Sequence, residues 1–456
     1  MPRRPPVRRR AEQRMGCLLL SRRLHVFLGP QSQGLRRIAI SRCHPVKWCW
    51  SISFLGHAGF LGLYPPLMNL ITTTEGLEAA CADLAKAPFI AVDTEFMREQ
   101  TFWPRLCLIQ IAGGDTEVLI DNMAPDVDLA PFFDLMVDEN VLKVFHSARQ
   151  DIEIIHHMAG VVPHPIFDSQ VAAMVCGFGE AVSYAMLVKR LLGRNLDKSS
   201  RFTDWSRRPL SERQLTYALG DVTHLRDLYP KLRAQLDKSE RASWLNEEMA
   251  VLTDPATYEL HPEQAWRRLK MRIKTQKALA ILMELAAWRE REAQSQDVPR
   301  SRVLKDEALY DIAGQAPRTI EDLGGLRSLH NGFARSSRGR AVLEAVQRGL
   351  QRDPASVPTL QRGTPMPPEA QAVMDLLRVL LKATAGRHGV APKLIATTDE
   401  LEQIARSNDA DTSALRGWRR KLFGEDALAL KRGELSLTIR EGSVTVLPSE
   451  EPEDPS

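Results

Sequence analysis

Asp93-Thr94-Glu95 closes the apolar run Phe89-Ile90-Ala91-Val92. On an extended strand, side chains two residues apart share a face, so the two carboxylates converge at a sheet edge. Two anions crowded there are costly without a cation, and hard carboxylate oxygens are the ligands that Mg²⁺ or Mn²⁺ takes. A second acid comes from Lys143 to Asp151, a strand running into a helix whose first turns carry His146 and Asp151. There Asp151 also suits the positive end of the helix dipole, a purely structural role. Tyr217 and Asp221, four residues apart, place a phenol and a carboxylate on one helix face. Each feature alone admits an ordinary reading, but their conjunction within one stretch of chain is far less ordinary.

The elements that must position these groups follow from apolar patterning. A capped helix starts at Thr74. Strands are predicted over Phe89–Asp93, Leu106–Ala112, Val118–Asp121 and Val141–Phe145, and helices over Ser147–Gly160, Ser169–Val175, Tyr184–Leu192 and Ser211–Leu236. Strands first and then helices with short strands between them indicate an α/β domain. Farther on, strand signals nearly vanish. Residues 277–350 and 369–432 have helical spacing, and the chain repeats at an offset of 92, with Val303–Ala313 over Ile395–Ala405, Leu309 over Leu401 and Ile312-Ala313 over Ile404-Ala405. Two copies of a small helical module are expected.

The 456 residues suffice for several domains, and 44% hydrophobic with 26% charged residues is an ordinary globular composition, which excludes collagen-like and wholly disordered classes. No apolar run reaches the roughly 20 residues that span a bilayer. The net charge of +4 conceals an asymmetry: residues 1–67 hold twelve Arg or Lys against the single acid Glu12, a surplus of eleven, which leaves the rest at −7. Nucleic-acid contacts in the body must therefore come from local patches. This basic extension reads as a targeting peptide, an RNA-binding arm, or sequence upstream of a true start at Met68, the last being favoured. With no CxxC pair among six cysteines, a zinc site is not expected and a reducing cytoplasm is.

The ordered set of D-x-E, a later Asp and Y-x-x-x-D resembles the DEDD exonuclease superfamily, Tyr subtype. The surrounding text resembles ribonuclease D: Asp93 to Phe96, Pro104 to Gln110, Phe145 to Glu153, Phe167 to Ala173 and Asp204 to Val222. The C-terminal repeats resemble tandem helicase-and-ribonuclease-D C-terminal (HRDC) domains. The resemblance implies an α/β ribonuclease-H-like exonuclease domain followed by two all-α HRDC-type domains. It also implies hydrolysis with two divalent ions, Mg²⁺ or Mn²⁺, in which Asp93 bridges both, Glu95 and Asp221 complete one, Asp151 serves the other, and Tyr217 orients the attacking water. The implied activity is 3′→5′ trimming of RNA with a free 3′ end, most of all tRNA precursors, releasing nucleoside 5′-monophosphates in the cytoplasm. No membrane and no obligatory protein partner are expected. The rivals are a 3′→5′ exodeoxyribonuclease and a non-catalytic RNA-binding scaffold.

The expected organisation is a basic extension (1–67), the exonuclease domain (68–235), linker helices (236–276), a first HRDC domain (277–352), a linker (353–368), an HRDC-like domain (369–440) and an acidic tail (441–456) whose final SEEPEDPS (449–456) is expected to be disordered. Trp266 to Lys277 reads as a basic linker helix beside the active-site groove. Further RNA contacts are assigned to Phe96 as a stacking wedge, to His146, and to Arg300, Arg302 and Lys305, with Lys393 in the second copy. Asp168 is expected to cap a helix at Ser169. The adjacent His156 and His157 point to different faces and are given no metal role.

Overall fold

The computed structural model describes residues 70–449 apart from 181, 198–199, 271–272 and 361–365. The basic extension over 1–67 and the end of the acidic tail lie outside the described residues.

Six strands form one mixed sheet: β1 (Leu70–Ile71), β2 (Phe89–Met97), β3 (Arg105–Gly113), β4 (Thr116–Ile120), β5 (Leu142–Phe145) and β6 (Ile166–Asp168), in the order β1-β4-β3-β2-β5-β6. β2, β3 and β4 run as an antiparallel meander, whereas β5 and β6 add to β2 in parallel. The central strands read as nearly unbroken apolar runs because both faces are covered. On one face lie α1 (Thr74–Leu84), α2 (Ala130–Val137) and α3 (Arg149–Ala159), which bury Leu77, Leu84, Phe132 and Ile152 against Ile90 and Ile111. On the other lie α4 (Ser169–Val175), α5 (Tyr184–Leu192) and α6 (Glu212–Lys238). A Ser211–Gln214 capping box starts α6, satisfying amides that have no partner inside the helix.

The segment expected to be linker helices belongs largely to this domain. α7 (Ala242–Thr253) packs beside α4 and β6, and Tyr258 is buried in the same core as α3. Nor is Trp266 to Lys277 one helix. A 3₁₀ segment at Pro262–Arg268 ends before Leu269, and the next helix begins only after Thr275, whose Oγ1 accepts from the Ala278 amide at 3.2 Å. Burial of Trp266 and Ile273 against the following helix fixes this irregular path.

The first helical module comprises α8 (Gln276–Ser295), α9 (Arg300–Val303), α10 (Asp306–Gln315), α11 (Ile320–Gly324) and α12 (Ser337–Gln351), around Ile281, Leu285, Leu309, Ile312, Val342 and Val346. Gly349 lets α12 lie directly on α8: a Cβ there would stand 2.5 Å from the Ile281 Cα. The second module has α13 (Pro368–His388), α14 (Pro392–Ile395) and α15 (Thr398–Arg406), then α16 (Gly417–Arg419) running through a π turn into α17 (Glu425–Arg432). Both modules follow a long helix with a one-turn helix and a third helix, and the aligned Leu309/Leu401 and Ile312/Ile404 are all buried. Their cores differ. Leu377, Leu381, Ile404 and Phe423 of the second module join one continuous cluster with Ala172, Val188, Val222 and Leu228 of α4–α6.

The expected start of the acidic tail at residue 441 is corrected by a hairpin, while the disorder expected over 449–456 lies almost wholly outside the described residues. β7 (Leu435–Arg440) pairs antiparallel with β8 (Ser443–Pro448) through Glu441-Gly442, both at positive φ (50° and 76°). Two such residues suit the twist of a tight hairpin, and alternation in Leu435-Ser-Leu-Thr-Ile and Val444-Thr-Val lets Leu437 and Val446 pack on the shared core.

Candidate active site

Asp93 and Glu95 extend from β2 at the middle of the sheet, Asp151 stands in the first turn of α3, and Tyr217 and Asp221 project from α6. All five line one cleft of about 490 Å³, together with Phe96, His146, Gln150, Gln170, Tyr184 and Arg201. Opposite the Glu95–Phe96 step, β3 carries an extra residue, Cys107. Such a bulge twists the ladder locally, and Phe96 lines the cleft beside the acids.

Asp168 caps α4, as expected from sequence, and also holds the turn from β5 into α3. Its carboxylate accepts from the amides of Ser147 at 3.0 Å, Ala148 at 2.8 Å and Gln170 at 2.8 Å, which joins the starts of α3 and α4. Ser147 itself sits at φ 65°. Asp168 is thus committed to backbone amides. Asp151 receives the Thr94 hydroxyl, and the Tyr184 hydroxyl donates to the Asp221 carbonyl.

Burial, and then the neighbouring Asp221 charge, push the Asp93 carboxyl up to about 8. Burial and the charges of Asp93, Asp221 and Asp151 push Glu95 up to about 10, against the pull of Arg201. Burial lifts Asp221 to about 7, with the Tyr217 hydroxyl and Arg201 pulling it back. Asp151 is also raised, by burial and by Asp93. Carboxylates so placed repel one another and favour protons over charge unless another positive charge enters. Among the described residues no three His, Cys, Asp or Glu side chains close on one point. The fit to a cation therefore rests on the donor set: Asp93, Glu95, Asp151 and Asp221, with Asp197 as a fifth carboxylate in a wall whose one guanidinium among the described residues is Arg201. The Tyr217 phenol is raised by burial and by Asp221, so it stays protonated at neutral pH.

Of the residues assigned from sequence, Asp93, Glu95, Phe96, His146, Asp151, Tyr217 and Asp221 come together in the cleft. His146 is engaged: its Nδ1 lies 2.9 Å from Ser169 Oγ, its ring is 4.9 Å from Tyr184, and burial lowers its proton affinity, so it meets the cleft uncharged at neutral pH. Arg300, Arg302 and Lys305 lie instead on the first helical module. Arg300 grips the buried Glu290 carboxylate with two bonds of 2.6 Å and covers the Phe102 ring at 4.4 Å, so it serves packing. Arg302 bonds the Gln100 side chain, while Lys305, exposed, precedes α10. Thr94, Tyr184 and Arg201 were missed. Arg201 stands only three residues ahead of the Asp204 to Val222 motif, and its charge in an otherwise acidic wall was the available signal. Gln110, opposite Asp93 in the ladder, is fully buried with neither amide atom hydrogen-bonded within the protein.

A family model described as a 3′-5′ exonuclease matches residues 68–237, and one described as an HRDC domain matches 278–346. Ribonuclease D of Nitrobacter hamburgensis is 57% identical over 377 residues, covering 83% of this chain and 98% of that protein. Ribonuclease D of Bartonella henselae is 48% identical over 382 residues, covering 84% and 94%. The crystal structure of Escherichia coli RNase D, described as an exoribonuclease involved in structured RNA processing, superposes with a TM-score of 0.71 at 28% identity, over 80% of this chain and 99% of that one.

Proposed function

This chain belongs to the ribonuclease D family of 3′→5′ exoribonucleases, and from that premise we propose that it trims the 3′ ends of tRNA precursors in the cytoplasm. The convergence of Asp93, Glu95, Asp151 and Asp221 in one cleft carries the reading. Exonucleases of this family depend on divalent metal, and the four acids would hold two ions, Mg²⁺ or Mn²⁺. Such ions supply the positive charge that activates water and steadies attacking and leaving oxygens in an in-line displacement at phosphorus.

The chain's own side chains set the geometry. Thr94 holds Asp151 toward the cleft, and Tyr184 fixes the α6 backbone at Asp221. The protonated Tyr217 positions a water by hydrogen bonding and does not remove its proton. The cleft admits a strand end, and a single-stranded 3′ terminus fits it without prior unpairing. A tandem HRDC arrangement is supported by the internal repeat and by the common helix order of the two modules. Exposed Lys305 and Lys393, one on each module, offer phosphate contacts that would raise the local concentration of RNA at the cleft.

The test is digestion of a 5′-labelled, 3′-extended tRNA with Mg²⁺, with Mn²⁺ and with EDTA, beside a matched DNA strand. A metal-dependent ladder shortening from the 3′ end on RNA is expected, with nothing in EDTA. Equal degradation of DNA would replace the substrate class, and binding without shortening would leave an RNA scaffold. Asp93→Asn should reduce turnover at least about a thousandfold, a loss of some 4 kcal/mol in transition-state stabilisation, while RNA affinity largely survives. Unchanged turnover would remove Asp93 from the chemistry.

A further inference from the structure

Phe202 is the most exposed large apolar side chain among the described residues, at 91%. A lone exposed hydrophobe is commonplace; the placement of this one is not. It stands in the segment joining α5 to α6, between the buried Ser200 and the buried Trp205. The Thr203 amide and hydroxyl both donate to the Ser200 carbonyl, at 3.2 and 2.8 Å, and Gln214 Nε2 donates to Thr203 Oγ1 at 3.2 Å. The ring is thus held out from a turn that is tied to the start of α6.

The neighbouring side chain leads into the cleft. The Arg201 guanidinium lies 5.4 Å from the Phe202 ring centroid and lines the same cavity as Asp93, Glu95, Tyr217 and Asp221. Among the described residues it is the only Arg or Lys in that lining. An aromatic face in water beside a cation at the mouth of an acidic cleft is the pairing that engages single-stranded nucleic acid: the ring takes a base and the cation a phosphate.

We propose that Phe202 is a base-stacking subsite for the RNA strand, receiving a nucleotide upstream of the one being removed while Arg201 faces an adjacent phosphate. The proposal rests on the exoribonuclease reading. Every base has a π face, so the subsite holds the strand without choosing its sequence.

The experiment compares wild-type protein with Phe202→Ala, Phe202→Leu and Phe202→Tyr on single-stranded RNA, intact or abasic at each of the final few positions. Phe202→Ala and Phe202→Leu should raise KM about five- to 150-fold, the range of one base–aromatic stack, with kcat and Tm unchanged. Phe202→Tyr should restore KM. One upstream abasic position should raise the wild-type KM by a similar factor and leave that of Phe202→Ala unaltered, because ring and base would then be a single interaction. A wild-type KM in Phe202→Ala, or losses that multiply at every abasic position, would overturn the subsite. Wild-type protein that fails to shorten intact RNA would overturn the exoribonuclease reading, and the subsite with it.

Discussion

The two helical modules repeat one another in sequence yet are attached to the α/β domain in opposite ways. The first has its own core and touches the domain through a strap between β2 and β3. Phe102 enters the module's core, the amides of Phe102 and Trp103 both donate to Asp297 Oδ1 at 3.0 Å, and Trp103 stacks on His157 of α3 at 3.9 Å. The second module has no separate core. Its α13 and α15 complete the apolar cluster of α4–α6, and the Ala391 amide donates to the Met174 carbonyl at 3.0 Å. Trp244 of α7 stacks on Trp418 at 4.2 Å, and Arg419 reaches Glu247 and Glu248. Repetition in sequence thus conserves a packing pattern without conserving what is packed against it: one copy is a docked body, and the other is a wall of the catalytic domain.

The strongest challenge to this contrast is a pair of core truncations. Leu377→Ala and Leu309→Ala each remove a fully buried leucine and should each cost about 2–5 kcal/mol. Only Leu377→Ala should lower the temperature at which nuclease activity is lost, whereas Leu309→Ala should shift a separate calorimetric transition. A single transition moved equally by both would merge the two modules into one unit.

A smaller effect probes the strap. Asp297→Ala leaves two amides without their acceptor and should weaken docking by about 1–3 kcal/mol. Hydrogen exchange should then rise in the Phe102 segment while kcat on short single-stranded RNA holds. A fall in kcat as large as the docking loss would mean that the strap also sets the cleft.

The smallest expected effect is one of pH. Burial alone would raise the Glu290 carboxyl, but Arg300 and Arg268 outweigh it and hold the group below its ordinary value of 4.5. A depressed carboxyl stabilises the fold above its unfolded value and loses that contribution as pH falls through its folded one. Acidification from pH 7 to below about 4.5 should therefore lower the first module's melting transition. Glu290→Gln should flatten that dependence, and an unchanged slope would detach Glu290 from it.

The cleft was largely legible from sequence because its chemistry demands particular side chains at short spacings: Asp93 with Glu95 on one strand, Tyr217 with Asp221 on one helix. Asp168 was legible as a cap for the same local reason. What stayed hidden depends on distant neighbours. Nothing in the spacing of Leu377 or Ile404 says whether an amphipathic face meets its own module or another domain. Nothing near Phe102 in the chain marks its docking role, because its partner Asp297 lies 195 residues away. Arg300 looked free to bind RNA because the buried Glu290 beneath it is visible only in three dimensions. The terminal hairpin was obscured by the acidic composition that follows it.

The shared core also sets an order of assembly on the ribosome. Met174 and Ala391, bonded in the finished protein, are separated by more than 200 residues of chain, so that contact cannot form until most of the polypeptide has been made. A nascent chain already carries every acid of the cleft while α4–α6 still lack their covering. The apolar cluster shared by α4–α6 and the second module is accordingly completed only late in synthesis, after every acid of the cleft has been made.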